Sequence, residues 1–117
     1  MNPDQLWQRY ADLWSTDAAH DSAEFEACLN EACHYCDPNG PVVGRRALAD
    51  YMAGFRQAMP GTRFMIAAVT AHNGRTLSDW TLRSADGAVL QTGRSFAAHD
   101  ERGRLRDITG FFDAQPR

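Results

Sequence analysis

Three cysteines stand close together in the first third of the chain, with the C-x4-C-x2-C spacing of Cys28, Cys33 and Cys36. Plant-type ferredoxins bind an iron–sulfur cluster through this spacing, but they also need a fourth, distant cysteine that this sequence lacks. A zinc ion would have to recruit His20 or His34 instead. Cys33 and Cys36 straddle the predicted start of a strand, where side chains three residues apart point to opposite faces. We therefore expect no metal and no cofactor.

A single carboxylate, Asp37, precedes Pro38 in a short apolar–polar stretch. If this side chain faces an apolar cavity, it can take a proton from the carbon beside a carbonyl group and return it elsewhere. The alternative is a turn aspartate that accepts hydrogen bonds from backbone N–H groups near Asn39 and Gly40. The residue types alone leave both interpretations open.

Sequence templates for other chemistries are missing. The chain has no glycine-rich phosphate or dinucleotide loop, no Gly-x-Ser-x-Gly elbow and no His-Glu-x-x-His motif. The basic run from Arg102 to Arg106 alternates with acidic residues across a predicted turn, which is typical of a solvated surface. With 12 Lys and Arg against 15 Asp and Glu, the net charge of −3 argues against a nucleic-acid partner.

The elements that must position these residues fall into two halves. A length of 117 residues with 44% hydrophobic and 23% charged residues is typical of one globular domain, 1–117. Asn2 and Pro3 predict the start of a first helix. Asp21 and Glu24 resemble a capping box and predict a second, short helix that continues through Ala32. A third helix is predicted after Gly44, and Pro60-Gly61 ends it.

The second half of the sequence has the two-residue period of strands. Asn73-Gly74, Asp86-Gly87 and Glu101-Arg102-Gly103 are turn signals between four predicted strands, which implies an antiparallel meander. His72 and His99, at strand ends, are predicted to lie on the surface. Arg94 is expected to pair with Asp79 on the neighbouring strand, and Asp113 to act as a structural cap.

Long strands curl, so three helices closing the concave side of this sheet would leave a conical cavity. Its predicted walls are large and mostly apolar: Trp14, Phe55, Met59, Trp80 and Phe112. The alternative is that these side chains simply fill a core. The expected fold class is therefore α+β, a cone-shaped barrel of a curved, mainly antiparallel sheet with three helices in the N-terminal half.

The order of these elements resembles the nuclear transport factor 2-like superfamily, and within it the SnoaL-like polyketide cyclases and the ketosteroid isomerases. The likeness covers about residues 3–113. It is carried by Tyr35-Cys36-Asp37-Pro38, by the segment 43–48 that opens a helix, and by Gly103-Arg104-Leu105 with Phe111-Phe112-Asp113 at the end. It implies a ligand pocket at the wide end of the cone and a homodimer paired through the outer face of the sheet.

The resemblance also implies roles for individual residues. Asp37 stands where ketosteroid isomerases have their general base. Tyr10 matches their oxyanion tyrosine on the first helix. The second donor departs from the family pattern, because Ser95 rather than an aspartate occupies the corresponding place on the third strand of the meander. Ser95 can donate a hydrogen bond but is a weaker acid.

Three functions are compatible with this sequence. The first is a cofactor-independent isomerase, cyclase or dehydratase acting on a mostly apolar, ring-containing carbonyl compound, with Asp37 as base and Tyr10 and Ser95 as oxygen donors. The second is a non-catalytic ligand-binding or dimerisation module, and the third an interaction domain that uses its outer sheet face. We expect a cytoplasmic location, because the cysteine count is odd and neither a signal peptide nor a membrane span is evident.

Overall fold

The computed structural model of this chain describes residues 1–15 and 22–114, without the side chain of Ser22. The predicted cap at Asp21 and the alternative zinc ligand His20 lie outside these residues. The helices are α1 (Pro3–Leu13), α2 (Ser22–Cys28) and α3 (Arg45–Ala58). The strands are β1 (Leu29–Asp37), β2 (Gly40–Val43), β3 (Arg63–His72), β4 (Arg75–Arg83), β5 (Val89–His99) and β6 (Leu105–Phe112).

Helix α1 begins as its sequence predicts. The Asn2 side chain accepts a hydrogen bond from the backbone N–H of Gln5 at 2.8 Å, and the Gln5 side chain accepts one from the Asn2 N–H at 3.0 Å. Pro3 occupies the first turn, where its missing N–H has no helical partner to lose. This capping box therefore satisfies two backbone N–H groups at the start of α1.

The prediction that the second helix continues through Ala32 is wrong. Helix α2 ends at Cys28, and strand β1 begins at Leu29. From Cys33 onward, burial alternates with the two-residue period of a strand, since Cys33, Tyr35 and Asp37 are buried and the residues between them are exposed. Sheet pairing on both sides of β1 outweighs the local helical spacing. One of its partners is strand β2, which was not predicted from the sequence.

The strands form one sheet with the order β2-β1-β6-β5-β4-β3. The predicted antiparallel meander of β3 to β6 is confirmed. The parallel pairing of β1 with β6 was not predicted, because it joins segments about 70 residues apart that share no turn. Register shifts in β3, β4–β5 and β5–β6 mark bulges, which bend strands and strengthen the twist of a sheet.

The helices cover one face of this sheet, so the expected α+β fold with a mainly antiparallel sheet is confirmed. The fully buried centre joins α1, α3 and the inner sheet face through Trp7, Leu13, Leu29, Leu48, Met52, Leu105 and Ile108. None of the helices in residues 1–15 and 22–114 is long and apolar enough to cross a bilayer.

Candidate active site

A cavity of about 340 Å³ lies between the helices and the inner face of the sheet. The five predicted wall residues, Trp14, Phe55, Met59, Trp80 and Phe112, all line it. The aromatic rings among them meet edge to face, as in the contact of Trp80 with Phe112 at a centroid distance of 5.7 Å. Phe112 is 47% exposed, which places it at the mouth of the cavity.

Asp37 lines this cavity with only 8% of its surface exposed. Its Oδ2 accepts hydrogen bonds from the hydroxyls of Tyr35 at 2.7 Å and Tyr51 at 2.8 Å. Its Oδ1 accepts the backbone N–H of Asn39 at 2.8 Å. The two interpretations of Asp37 are therefore compatible, because the side chain makes the turn hydrogen bond and also lines the cavity. Each carboxylate oxygen can accept two hydrogen bonds, so Oδ1 has room for one more donor.

The two phenols remain donors over a wide range of pH. Burial, followed by the interaction with the Asp37 carboxylate, raises the pKa of Tyr51. Burial also raises the pKa of Tyr35, and its neighbours Tyr10 and Asp37 add to the shift. Neutral phenols that donate hydrogen bonds to a carboxylate oxygen fix the orientation of that carboxylate.

Tyr10 extends from α1 into the same cavity and is 5% exposed. Its hydroxyl is a buried polar group with no hydrogen-bond partner among the described residues. Burial raises its pKa far above the ordinary value, although the nearby indole N–H of Trp14, which does not reach hydrogen-bond distance, acts in the opposite direction. Because an indole N–H can only donate, the Tyr10 hydroxyl is left as a neutral O–H donor. An unsatisfied buried hydroxyl costs about 1–3 kcal/mol. A ligand oxygen that accepts a hydrogen bond from it would recover this free energy.

Ser95 lies on β5, also lines the cavity and is 9% exposed. Its Oγ accepts the indole N–H of Trp80 at 3.0 Å, so the hydroxyl proton of Ser95 is what it can offer to a ligand. This contact depends on Gly93, the cross-strand partner of Trp80. A Cβ at Gly93 would lie 2.3 Å from Trp80 Cζ2, so the indole can lie across this position only because it has no side chain.

Asp37 and Ser95 are separated by one glycine on the strand between them. Gly110 of β6 pairs with Ser95 of β5, and β1 runs along the other side of β6. A Cβ placed at Gly110 would lie 3.4 Å from Ser95 Oγ and 3.9 Å from Asp37 Cβ. The carboxylate and the hydroxyl therefore border one small gap in the cavity wall.

Sequence reasoning missed the roles of Tyr35, Tyr51 and Gly110. Tyr35 shares a face with Asp37 because it is two residues away on a strand, and the strand start predicted at Cys33 and Cys36 is the signal that could have found it. Tyr51 lies on the predicted third helix, but nothing in the local sequence shows that its hydroxyl reaches β1.

The remaining polar predictions concern the surface. Arg94 Nε lies 3.7 Å from Asp79 Oδ1, as predicted, and His72 is exposed. Asp113 accepts the hydroxyl of Thr92 at 2.8 Å, which fits its predicted role as a strand-end cap.

The surface prediction for His99 needs correction, because this residue is half-buried. Its Nε2 lies 2.7 Å from the hydroxyl of Thr76, which also accepts the indole N–H of Trp7. Its Nδ1 lies 2.9 Å from the carbonyl oxygen of Gly103. These bonds tie α1 to the turn before β6, so His99 is structural and stands outside the cavity.

The cysteines do not converge. Cys28 and Cys33 are buried and Cys36 is exposed. Burial raises the pKa of the Cys28 thiol to about 11 and also raises that of Cys33. In the part of the chain that the structure describes, no group of three histidines, cysteines or acids is placed to hold a metal ion.

Known proteins share this fold and its sequence pattern. The family model of the SnoaL-like domain matches residues 7–113. A candidate isomerase of the SnoaL-like family from Agrobacterium tumefaciens strain C58 is similar, with a TM-score of 0.86, 26% identity, and coverage of 94% of this chain and 96% of that one. None of the curated proteins matches the chain.

Two further solved structures are less similar in sequence and show the fold alone. A candidate ketosteroid isomerase from Kribbella flavida has a TM-score of 0.74 and 20% identity, covering 97% of this chain and 79% of that one. A candidate polyketide cyclase from Sinorhizobium meliloti has a TM-score of 0.72 and 14% identity, covering 91% and 93%. Since the family model spans nearly the whole chain, this protein belongs to the SnoaL-like family of the nuclear transport factor 2-like superfamily.

Proposed function

We propose that this protein binds a small, mostly apolar, ring-containing carbonyl compound in the cavity and catalyses a proton transfer on it without a cofactor. The observation that carries the proposal is the pairing of one buried carboxylate, Asp37, with one buried unpartnered donor, Tyr10, in the same aromatic cavity. A base and an oxyanion donor are what enolisation requires.

The lining limits the charge of the ligand. Among the described residues that line the cavity there is no arginine, lysine or histidine, and Asp37 is the only carboxylate. A carboxylate or phosphate ligand would have no counter-ion and would be repelled by Asp37. An uncharged ketone instead buries its ring against the aromatic walls and needs only hydrogen bonds for its oxygen.

In the proposed reaction, Asp37 Oδ1 accepts a proton from the carbon next to the carbonyl. The electrons of the broken C–H bond form the enolate, and its oxygen receives hydrogen bonds from the hydroxyls of Tyr10 and Ser95. The protonated Asp37 then returns the proton to the same or a conjugated carbon, so no oxidant or reductant is consumed. Tyr35 and Tyr51 hold Oδ2 and keep the carboxylate aimed throughout.

Deuterium uptake at C1 of 2-tetralone, an uncharged bicyclic ketone with acidic C–H bonds, tests the proposal. The wild-type protein should accelerate the exchange in D₂O, and Asp37→Asn should lose at least about 100-fold of that acceleration, the usual contribution of a positioned base. Asp50→Asn, which changes an exposed carboxylate on α3, is the matched control and should behave as wild type. Equal rates in Asp37→Asn and wild type would remove Asp37 as the base.

The alternative is a non-catalytic ligand-binding or dimerisation module of the same fold. Ser95 in place of a second acid favours it, because the oxyanion site then has one strong and one weaker donor. Under this alternative, 2-tetralone would raise the melting temperature of the protein and would be recovered without deuterium in excess of the uncatalysed exchange.

We also propose a homodimer through the outer sheet face. Leu77 and Phe96 are cross-strand partners there, and both are more than one-third exposed, as is Phe111. The Asp79–Arg94 ion pair beside them carries both signs of charge, so a two-fold axis would bring complementary patches together. Sedimentation equilibrium should show a dimer that Phe96→Arg converts to a monomer, whereas Gln57→Arg on α3 does not. A monomeric wild type would refute the dimer.

The proposal includes a single domain, 1–117, and a cytoplasmic location. Three free cysteines, two of them buried, suit a reducing compartment.

A further inference from the structure

We propose that Gly110 determines which ligands reach Asp37, and that the gap above it admits a reacting carbon that carries a substituent as large as a methyl group. The inference rests on the proposed function, since it takes Asp37 as the group that the reacting carbon must approach. It extends the proposed substrate class to ring ketones that carry a substituent on the carbon that loses its proton.

The gap is defined by three adjacent strands. Asp37 of β1, Gly110 of β6 and Ser95 of β5 lie in one row across the sheet, and all three line the cavity. A methyl group at Gly110 would sit 3.4 Å from Ser95 Oγ and 3.9 Å from Asp37 Cβ. A methyl group therefore fits in the gap, and the gap lies beside the proposed base.

Packing does not require a glycine at position 110. The distances to an added Cβ are ordinary van der Waals contacts, and Gly110 is not among the glycines with positive φ. Gly93 on the next strand is different, because a Cβ there would lie 2.3 Å from both the Phe111 carbonyl oxygen and Trp80. An alanine would fit at 110 but not at 93. We therefore infer that the glycine at 110 leaves space for a ligand, whereas the glycine at 93 is required by packing.

A second, independent observation points to a ligand in the same cavity. The hydroxyl of Tyr10 is buried and has no partner among the described residues, although most buried polar groups are satisfied. A ketone whose oxygen accepts from Tyr10 would extend across the aromatic walls. The carbon beside its carbonyl can then occupy the gap between Asp37 and Ser95.

The test adds one methyl group either to the ligand or to the protein and compares the binding affinities. 2-Tetralone and 1-methyl-2-tetralone differ by one methyl group on the reacting carbon, and Gly110→Ala adds a methyl group to the protein at the gap. Wild type should bind both ketones with similar affinity. Gly110→Ala should change the affinity for 2-tetralone by less than about threefold and weaken binding of the methyl ketone by at least about tenfold, the discrimination expected for one methyl group in a packed pocket.

Binding is measured by quenching of tryptophan fluorescence, because Trp7, Trp14 and Trp80 all line the cavity. Gly54→Ala is the control, since a Cβ at this exposed position of α3 meets nothing within 4 Å. Its affinities should equal those of wild type, and the melting temperature of Gly110→Ala should show that it folds.

The possible failures are distinguishable. If Gly110→Ala weakens the binding of both ketones equally, or of neither ketone, the role of Gly110 is overturned while the proposed function stands. If wild type binds neither ketone, the proposed function fails, and this inference fails with it. If size selectivity changes as expected but Asp37→Asn exchanges deuterium at the wild-type rate, the gap is a binding feature and the catalytic assignment of Asp37 is wrong.

Discussion

The hydroxyl of Tyr51 donates a hydrogen bond to Asp37 Oδ2 across 2.8 Å, so helix α3 fixes the orientation of a carboxylate that belongs to strand β1. Tyr35 donates to the same oxygen from within β1. Two donors on one oxygen leave the other oxygen, Oδ1, as the one with spare accepting capacity. Oδ2 therefore holds the carboxylate in place, and Oδ1 is the oxygen that can contact a ligand.

Tyr51→Phe tests that separation. The variant removes one charged hydrogen bond and should lower the free energy of unfolding by about 1.5 kcal/mol. If the freed carboxylate loses a similar amount of alignment energy in the transition state, the rate of 2-tetralone exchange should fall about tenfold. Asp50→Asn, at an exposed position of the same helix, is the control, and both values should be unchanged. A fully active Tyr51→Phe would show that Tyr51 only fills space.

Gly93→Ala should be far more damaging than Gly110→Ala. A Cβ at 93 meets a backbone oxygen and the Trp80 ring at 2.3 Å, so strand or indole must move, and overpacking of this kind costs about 1–3 kcal/mol. Thermal denaturation should give a clearly lower melting temperature for Gly93→Ala and nearly the wild-type value for Gly110→Ala. Similar melting temperatures for the two variants would contradict the close approach of Trp80 to Gly93.

The chain has three tyrosines, and burial raises the pKa of all of them. An unfolded tyrosine ionises near pH 10. Because the folded values are higher, stability should be unaffected below about pH 10 and should fall as the pH rises above it. Absorbance at 295 nm should therefore show that the phenols of the native protein ionise at a higher pH than a free tyrosine does, and that this ionisation accompanies unfolding. Reversible ionisation of all three tyrosines near pH 10 with the fold intact would contradict the burial of their hydroxyls.

Asp100 should contribute to stability against acid. Burial alone would raise its pKa, but hydrogen bonds from Asn30, Arg104 and Arg102 outweigh this and lower it to about 2. The contribution is present above pH 4 and is lost as the pH falls toward 2.

Urea unfolding of Asp100→Asn measures that contribution. The variant should be less stable than wild type by about 2 kcal/mol at pH 7, and the difference should vanish near pH 2. Asp50→Asn, which changes an exposed carboxylate on α3, should match wild type at both values. A difference for Asp100→Asn that is independent of pH would assign the loss to packing instead.

Much of the fold could be predicted because its signals are local. The Asn2 cap, the Pro60-Gly61 stop and the Asn73-Gly74 turn each depend on a few neighbouring residues, and the meander follows from turns that join consecutive strands. Helix α2 was extended too far because the residues after Cys28 have helical spacing locally, whereas their strand conformation depends on pairing with the distant β6.

The site was only partly predictable for the same reason. The aromatic walls follow from large apolar residues on the inner faces of predicted elements. The direction of Asp37 depends on which residues of β1 face inward, and the parallel register with β6 sets this. The contacts of Tyr51 with Asp37 and of Gly110 with Ser95 each join separate elements, so they cannot be recognised from any short segment of the sequence.

The crystal structure of the 2-tetralone complex at neutral pH tests the central claim most directly. The account predicts the ketone inside the aromatic cavity, with its oxygen within hydrogen-bonding distance of the Tyr10 hydroxyl and C1 above Gly110, facing Asp37. A ketone bound outside this cavity, or bound within it with the carbonyl turned away from Tyr10 and C1 away from Asp37, would contradict the account.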